Sequence, residues 1–513
     1  MRNIFKLVMM FMCATLLFAG NASALTTISG SITSNQTWGP TGSPADTEYL
    51  LSGYVFVEAP AELTIQPGVT IYGEEATIGT LIIERGAKIH ATGTAAQPIV
   101  FTSSRVKFGG ALDRGLWGGV IIAGDAPINV PGGEALIEGT TDSLYGGTDS
   151  ADNSGELQYV RIEYAGHLFN PEVELNGIAF HGVGSGTTVD HVQVHMNKDD
   201  CIEMFGGTVN MKYMIGTWCR DDYFDWTEGW TGKAQYVVVA QRADEADNGM
   251  ECDSNGTYPD NTPISNPNIY NVTMIGDPTT VWGTESARGL RMRVGTAGRV
   301  RNLIISSFKN LAVSLDNTET WNRVLSGDLV LSNGIVWNNN GGGAQYDTDI
   351  PVSAQNAIDL GYWTNLVNVD PNLCNVLPKD IYVGPIDATM QYKPNFAPAA
   401  GSPAIDGSVP VATPPADGFF DTTVNFIGAV DPNNDWTYGW TNFGTAKQKV
   451  NDLNYDGNVN VFDVVKIKKI AIGTSHVQSC ADATLDGNVN VFDVVKAKQM
   501  AIGTEPLRNC CKE

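Results

Sequence analysis

Leu63-Thr64-Ile65-Gln66-Pro67-Gly68-Val69-Thr70-Ile71 and Leu81-Ile82-Ile83-Glu84-Arg85-Gly86-Ala87-Lys88-Ile89 share one layout: a short apolar strand, a turn containing glycine, and a second short strand. So few positions suit a strand better than a helix, and the glycine marks the turn. Read as successive coils of one solenoid, the two stretches stack on each other. Similar strands follow at Tyr159-Val160-Arg161-Ile162, Val192-Gln193-Val194-His195, Tyr236-Val237-Val238-Val239, Asn271-Val272-Thr273-Met274, Asn302-Leu303-Ile304-Ile305 and Gly334-Ile335-Val336-Trp337. They recur at intervals of roughly 20 to 40 residues, the range of repeat architectures. A single coil cannot bury its inward side chains and must stack on its neighbours to do so. The expected fold is therefore all-β, a parallel β-helix. A β-sandwich or a propeller competes, but the regular hairpin dipeptides those folds need are missing.

Composition narrows the function. The 513 residues carry 31 Lys plus Arg against 56 Asp plus Glu, a formal charge of -25, with 42% hydrophobic and 17% charged residues. That is a globular, acidic chain, and phosphate binding needs a basic face, so no nucleic-acid partner is expected. Residues 1–24 read as a secretory signal: Arg2 and Lys6, an apolar run from Leu7 to Ala19, then Ala22-Ser23-Ala24 as a cleavage site. Export to the extracellular space follows, with possible display at the cell surface. No later apolar run is long enough for a membrane span. Cleavage removes Cys13 and leaves Cys201, Cys219, Cys252, Cys374, Cys480, Cys510 and Cys511, an odd number whose pairing stays open. Residues 25–445 form the β-helix domain and 446–513 a separate module. The module holds nine Lys plus Arg and eight Asp plus Glu, so the acidity belongs to the β-helix.

Residues 28–445 resemble a family of secreted bacterial right-handed parallel β-helix proteins. The likeness rests on Leu63 to Gly68, Gly93-Thr94-Ala95-Ala96-Gln97-Pro98, Trp117-Gly118-Gly119-Val120-Ile121-Ile122, Gly182-Val183-Gly184-Ser185-Gly186, Phe205-Gly206-Gly207-Thr208, Asp225-Trp226-Thr227-Glu228-Gly229-Trp230 and Gly418-Phe419-Phe420-Asp421. The resemblance implies architecture and says little about activity.

In the C-terminal module, Asp456 to Lys466 recurs unchanged from Asp486 to Lys496, a duplication of period 30. The first copy places oxygen-bearing side chains at Asp452, Asn454, Asp456, Asn460 and Asp463, with Gly457 at the sharp turn and the Asn458 carbonyl between them. The second offers Asp482, Thr484, Asp486, Asn490 and Asp493, with Gly487 and the Asn488 carbonyl. Hard Ca²⁺ takes about six to eight oxygens, and this spacing wraps them around one point, so two Ca²⁺ ions are expected. Thr484 in place of Asn predicts weaker binding in the second loop. Each loop exits into a segment of helical spacing that stops at Gly473 or Gly503. Loops with an exiting helix, no entering helix and Asp at the last ligand position resemble a type I dockerin. That resemblance implies docking onto a cohesin-type protein or surface scaffold, with Val461-Phe462 and Val491-Phe492 at the positions that choose the partner. A calcium-stabilised spacer is the plainer alternative. Cys480 pairing with Cys510 or Cys511 would staple the second loop.

The densest acidic region is central. Aligning coils sets Asp199-Asp200-Cys201-Ile202-Glu203 over Asp221-Asp222-Tyr223-Phe224-Asp225, then Asp247-Asn248-Gly249-Met250-Glu251, then Ala287-Arg288-Gly289-Leu290-Arg291. Parallel strands lie about 4.8 Å apart, so one column reads Glu203, Asp225, Glu251, Arg291. Carboxylates that close must share protons, hold a cation or meet the arginine. Asp199, Asp200, Asp221 and Asp222 are the candidate catalytic acids, and further structural ions are expected here. β-helix polysaccharide lyases use carboxylate-bound Ca²⁺ with an Arg or Lys base, and Asp199-Asp200-Cys201 resembles a segment of pectin-cleaving glycosidases. The Gly-His-Gly and Arg-Ile-Lys segments of those glycosidases are missing here. A stacked ionic ladder that only stabilises the solenoid is the alternative. Trp218, Tyr223, Trp226 and Trp230 adjoin the cluster and are candidate sugar-stacking residues. His191 and His195 on an alternating strand would face outward about 13 Å apart, too far to share an ion.

The expected function is a secreted, calcium-dependent, dockerin-bearing β-helix protein that engages polysaccharide or cell-surface polymer. The alternatives are a polysaccharide lyase or O-glycosyl hydrolase of a docked complex, and a structural or adhesive surface protein.

Overall fold

A computed structural model describes residues 25–443 apart from 44, 171–172, 243–244, 279–286, 350 and 376–393, and beyond 443 only Val464, Lys468, Val494, Val495, Lys496 and Lys498. The expected leader at 1–24, the calcium-loop residues between 452 and 493, and Cys480, Cys510 and Cys511 lie outside the described residues.

The strands pair in parallel. Gly155–Glu163, Thr188–His195, Asn210–Thr217, Lys233–Ala240, Asn268–Ile275, Gly298–Ser306 and Leu329–Trp337 each pair with the next. A second run of short strands stacks beside them: Ile178–His181, Ile202–Phe205, Asp225–Thr227, Met250–Cys252, Leu290–Met292 and Val313–Leu315. Consecutive strands that pair in parallel need a full turn of chain between them, which makes this sheet a β-helix and excludes the antiparallel sandwich and the propeller. Equivalent inward positions form columns. Val160, Val192, Met214, Val237, Val272 and Leu303 lie over one another, all buried.

Each long strand is bent once by a residue of positive φ: Tyr159 at 49°, His191 at 54°, Tyr213 at 56°, Tyr236 at 65°, Asn271 at 59°, Asn302 at 57° and Asn333 at 58°. Strand pairing skips these positions, so every long strand supplies two sides of a coil and the short strand a third. Asn tolerates the left-handed region, whereas an aromatic residue there needs compensation from its surroundings. The rings supply it by stacking in a column, Tyr159 on His191 at 4.3 Å, His191 on Tyr213 at 4.3 Å and Tyr213 on Tyr236 at 4.9 Å.

Residues 402–443 run back along these bends. Asn302 and Ala412 exchange hydrogen bonds, the Asn271 amide donates to the Phe426 and Gly428 carbonyls, and the Gln193 amide pairs with the Asn442 backbone. The returning segment thereby satisfies polar groups that the bends would otherwise leave buried without partners.

Three expectations need correction. Leu63 stacks on Ile89, while Leu81 pairs with Val55 and Val120, so the two opening stretches are not in register. Strand, glycine turn and strand occur at two different corners of the coil, and like motifs therefore fall on different sides. The strand Asn210–Thr217 supplies a coil between Val192 and Tyr236 that the repeat reading passed over. His195 is fully buried against Trp218, because the bend at His191 resets the alternation on which an outward pair depended.

Candidate acidic functional site

The strand register brings the acids together at one edge of the short-strand side. Glu203 pairs with Asp225 and Glu251 with Arg291. Trp226 pairs with Cys252, which sets Asp225 opposite Glu251. The column Glu203, Asp225, Glu251, Arg291 stands as the alignment of coils required. Just before each short strand the chain turns a corner, and the corners carry Asp199-Asp200, Asp221-Asp222 and Asp247-Asn248.

Eight carboxylates meet here in overlapping groups of three. Glu174, Asp199 and Asp221 form one group; Asp200, Glu203 and Asp225 a second; Asp200, Asp221 and Asp222 a third; Asp222, Asp225 and Glu251 a fourth. Within each group the oxygens lie within 4.8 Å of one another. Asp200, Glu203, Asp222 and Asp225 are buried, whereas Asp199, Asp221 and Glu174 remain partly exposed. The cluster thus has an inner part and an accessible rim, and the four sequence-predicted acids divide between them.

Among the described residues, arginines form ion pairs with the cluster at its Glu251 end. Arg293 pairs with Glu251 and, at 2.8 Å, with Asp253, and Arg291 lies 3.5 Å from Glu251 and 3.1 Å from Asp316. The remaining acids meet burial and one another, so desolvation first and like charge second hold Asp199, Asp200, Glu203, Asp222 and Asp225 well above the usual carboxylate range. Asp221 is pushed up to about 7 and Glu251 to about 8, chiefly by burial, despite the arginines near each.

Backbone contacts stabilise part of the cluster. Asp200 accepts the Asp222 N–H at 2.8 Å, and Asp222 in turn accepts the Asn248 N–H. Asn176 donates to Glu203, and the Asn248 amide reaches Glu251 at 3.4 Å. Among the described residues, Asp225 Oδ1 and the side-chain carbonyl oxygens of Asn176 and Asn248 are buried with no hydrogen-bond partner. Cys201 and Cys219 form a disulfide that begins one residue after Asp200. The sequence left that pairing open.

The sugar-stacking expectation is overturned for all four aromatics. Trp218 is 4%, Tyr223 0%, Trp226 1% and Trp230 0% exposed, so none offers a face to a ligand. They lie on the inward side of the coil, where Trp226 donates to Thr296 at 3.0 Å, Trp230 to the Val209 carbonyl at 3.1 Å and the Tyr223 hydroxyl to the Cys219 carbonyl at 2.9 Å. Their polar tips satisfy the core and their rings fill it. Sequence reasoning also missed Glu174, which reaches Asp199 and Asp221 from a neighbouring loop strand, Val173–Glu174, with no motif to announce it.

Three strand segments per coil, parallel register and an acidic edge define a parallel β-helix protein with a polyanionic cluster on one side. A family model described as a pectate-lyase-like β-helix domain matches residues 30–360, and the chain belongs to that family. No curated protein and no solved structure matches the chain. Among the described residues no helix is long and apolar enough to cross a membrane.

Proposed function

We propose that this is an exported, calcium-dependent β-helix protein that engages extracellular polysaccharide at its acidic edge and attaches through its C-terminal dockerin-like module to a cohesin-type partner. The observation that carries the reading is the meeting of eight carboxylates in groups of three. Such a set is costly to ionise without a counter-charge.

The donor set fits Ca²⁺. All of its ligand atoms are oxygens, and Asp225 Oδ1 is buried with no hydrogen-bond partner among the described residues. Asp200, Glu203 and Asp225 would hold an ion, which when bound supplies positive charge that draws an anionic or hydroxyl oxygen of a sugar toward the edge. The accessible rim has a separate part. Asp221, pushed up to about 7, is suited to hold or release a proton near neutrality, with Asp199 and Glu174 beside it.

The second reading is a non-enzymatic structural or adhesive protein. It is supported by Asp200 and Asp222, which serve as acceptors between coils. Incubation with a polysaccharide panel, with and without Ca²⁺, separates the readings. Unsaturated uronate ends identify a lyase, new saturated reducing ends a hydrolase, and retention without cleavage an adhesive protein. Loss of cleavage in Asp199→Asn/Asp221→Asn assigns the rim; cleavage that survives this double change rejects it.

A further inference from the structure

The first half of each long strand turns one face outward. Met211, Ala234, Ile269 and Val300 are buried, so the residues on either side of each point to the outside of the coil. Strand register stacks those neighbours in two columns: Asn210, Lys233, Asn268 and Arg299, and beside them Lys212, Gln235, Tyr270 and Arg301. Across these coils the two columns hold four cations and no acid, in a chain whose formal charge is -25. Three steps of about 4.8 Å make the strip about 14 Å long.

Elsewhere arginine meets carboxylate, Arg85 with Glu134, Arg105 with Glu75, Arg161 with Glu163 and Arg323 with Asp260. On the strip it does not. Among the described residues Lys212, Arg299 and Arg301 make no ion pair, although all three are partly exposed. Arg299 donates to the Asn266 side-chain oxygen at 3.3 Å and Arg301 to the Tyr270 hydroxyl at 2.9 Å. A guanidinium has five N–H donors, so one such bond leaves most of them unused. Gly418-Phe419-Phe420-Asp421 of the returning segment supplies rings in place of counter-ions. Lys212 Nζ lies 4.9 Å and Lys233 Nζ 6.0 Å from the centre of the Phe419 ring, Arg301 lies 5.7 Å over Tyr270, and Phe420 packs edge-on against Tyr270 at 5.1 Å. Rings attract cations without neutralising them. The acids around the strip have other partners: Asp417 pairs with Lys233 at 2.6 Å, Asp421 accepts from Tyr236 and Thr423, Asp190 meets His191, and Asp328 accepts from Ser326.

We propose that this strip binds a uronate-bearing polysaccharide laid along the axis of the β-helix, with Arg299 and Arg301 meeting its carboxylates and Lys212 and Lys233 adding positive charge. Guanidinium and carboxylate match through paired hydrogen bonds. A uronate chain carries at most one charge per sugar ring, which suits so sparse a row of cations. Duplex nucleic acid carries one charge per about 1.7 Å and would be repelled by the acidity of the rest of the chain. A second copy of this chain would bring the same repulsion. The strip is on a different side of the coil from the acidic edge and needs no metal, so it goes beyond the reading of that edge.

The test is titration calorimetry of the full-length protein with galacturonate oligomers in chelator, where the acidic edge holds no Ca²⁺. Neutral xylo- and gluco-oligosaccharides and a duplex DNA oligonucleotide are the contrasting probes. We expect the galacturonate oligomers to bind, and their affinity to fall as NaCl rises from about 50 to about 500 mM. Arg299→Gln/Arg301→Gln should weaken binding about tenfold or more, the loss that goes with one charge-assisted contact. Arg105→Gln/Lys107→Gln removes the same charge from the short helix Ser104–Phe108 and should leave binding unchanged. Arg301 packs on Tyr270, so Lys212→Gln gives a second reading free of that contact and should also weaken binding. Four results would overturn the proposal: no galacturonate binding in chelator, equal affinity in the parent and both strip variants, neutral sugars or DNA bound as tightly as galacturonate, or self-association of the parent that the arginine variant abolishes. Failure of the acidic edge to bind Ca²⁺ or to engage a polysaccharide would leave this result standing, so the two assignments fail separately.

Discussion

The Asp200 carboxylate accepts the backbone N–H of Asp222 at 2.8 Å, so one residue of the acidic cluster is also a joint between neighbouring coils. Charge and hydrogen bonding act in opposite directions at this position. Ionisation is disfavoured by burial and by Asp199, Asp225 and Glu203, while the accepted N–H holds the corner together.

Substitution separates the two. Asp200→Ala leaves the Asp222 N–H buried without its acceptor and should cost about 1–3 kcal/mol. Asp200→Asn keeps an acceptor oxygen and removes the charge, so without Ca²⁺ at pH 8 it should match or exceed the parent in stability. Urea denaturation in chelator measures both. Equal damage from the two variants would mean that the charge itself is needed.

The pH dependence follows from the same acids. Their folded-state values lie above their unfolded ones, so the folded protein binds more protons over the interval between them. For Asp221 that interval runs from 3.8 to about 7, and for Glu251 from 4.5 to about 8. The stabilising contribution is complete below the lower value and is lost as pH rises through the upper one. In chelator the melting temperature should therefore fall between pH 5 and pH 8, all the more with Asp200, Glu203, Asp222 and Asp225 shifted the same way. Millimolar Ca²⁺ should flatten the profile by stabilising the ionised acids. A melting temperature that rises with pH in chelator would show that the cluster does not control this dependence.

Much of this was legible in the sequence. The spacing of corner Asp pairs and short strands aligned Glu203, Asp225, Glu251 and Arg291, because parallel register turns an alignment into a column. The aromatic assignment failed at the same place. Adjacency to a site says nothing about which way a ring points, and a change from alternation to a bend at Trp218, whose φ is 60°, sends side chains inward. The aromatic column at the bends was hidden for another reason. Tyr159, His191, Tyr213 and Tyr236 look unrelated until coil register superimposes them, and Trp436 reaches His191 and Tyr213 from far along the chain.

The disulfide supports the acidic corner. Cys201 and Cys219 enclose a separation of 18 residues, and a loop of that length corresponds to about 3 kcal/mol in the chain-entropy account. Cys201→Ser/Cys219→Ser should lower the stability of the folded chain by about that amount and weaken Ca²⁺ binding, because Asp200 precedes the first cysteine. Denaturation midpoints and calcium titrations of the double variant check both parts. Unchanged calcium affinity with reduced stability would confine the bond to a structural role.

The proposed calcium loops at the C-terminus call for a test that keeps them distinct from the acidic edge. Asp456→Asn with Asp486→Asn removes one charged ligand from each repeated loop of the full-length chain and leaves residues 25–443 untouched. Metal binding to such loops supplies folding free energy, so adding Ca²⁺ to the parent should raise the far-UV helical signal, and the double variant should show little of that rise. Equilibrium dialysis should show two fewer ions per chain in the variant, while the Ca²⁺-dependent gain in β-helix melting temperature persists. The charge balance makes the second half of the prediction strict: residues 446–513 are nearly neutral and the rest of the chain carries the net negative charge, so an ion held at the edge would have no electrostatic need of the tail. Parallel loss of both signals would mean that the two sets of acids act as one site. An unchanged helical signal in the parent on adding Ca²⁺ would remove the dockerin-like assignment and leave the acidic edge as the calcium-binding element.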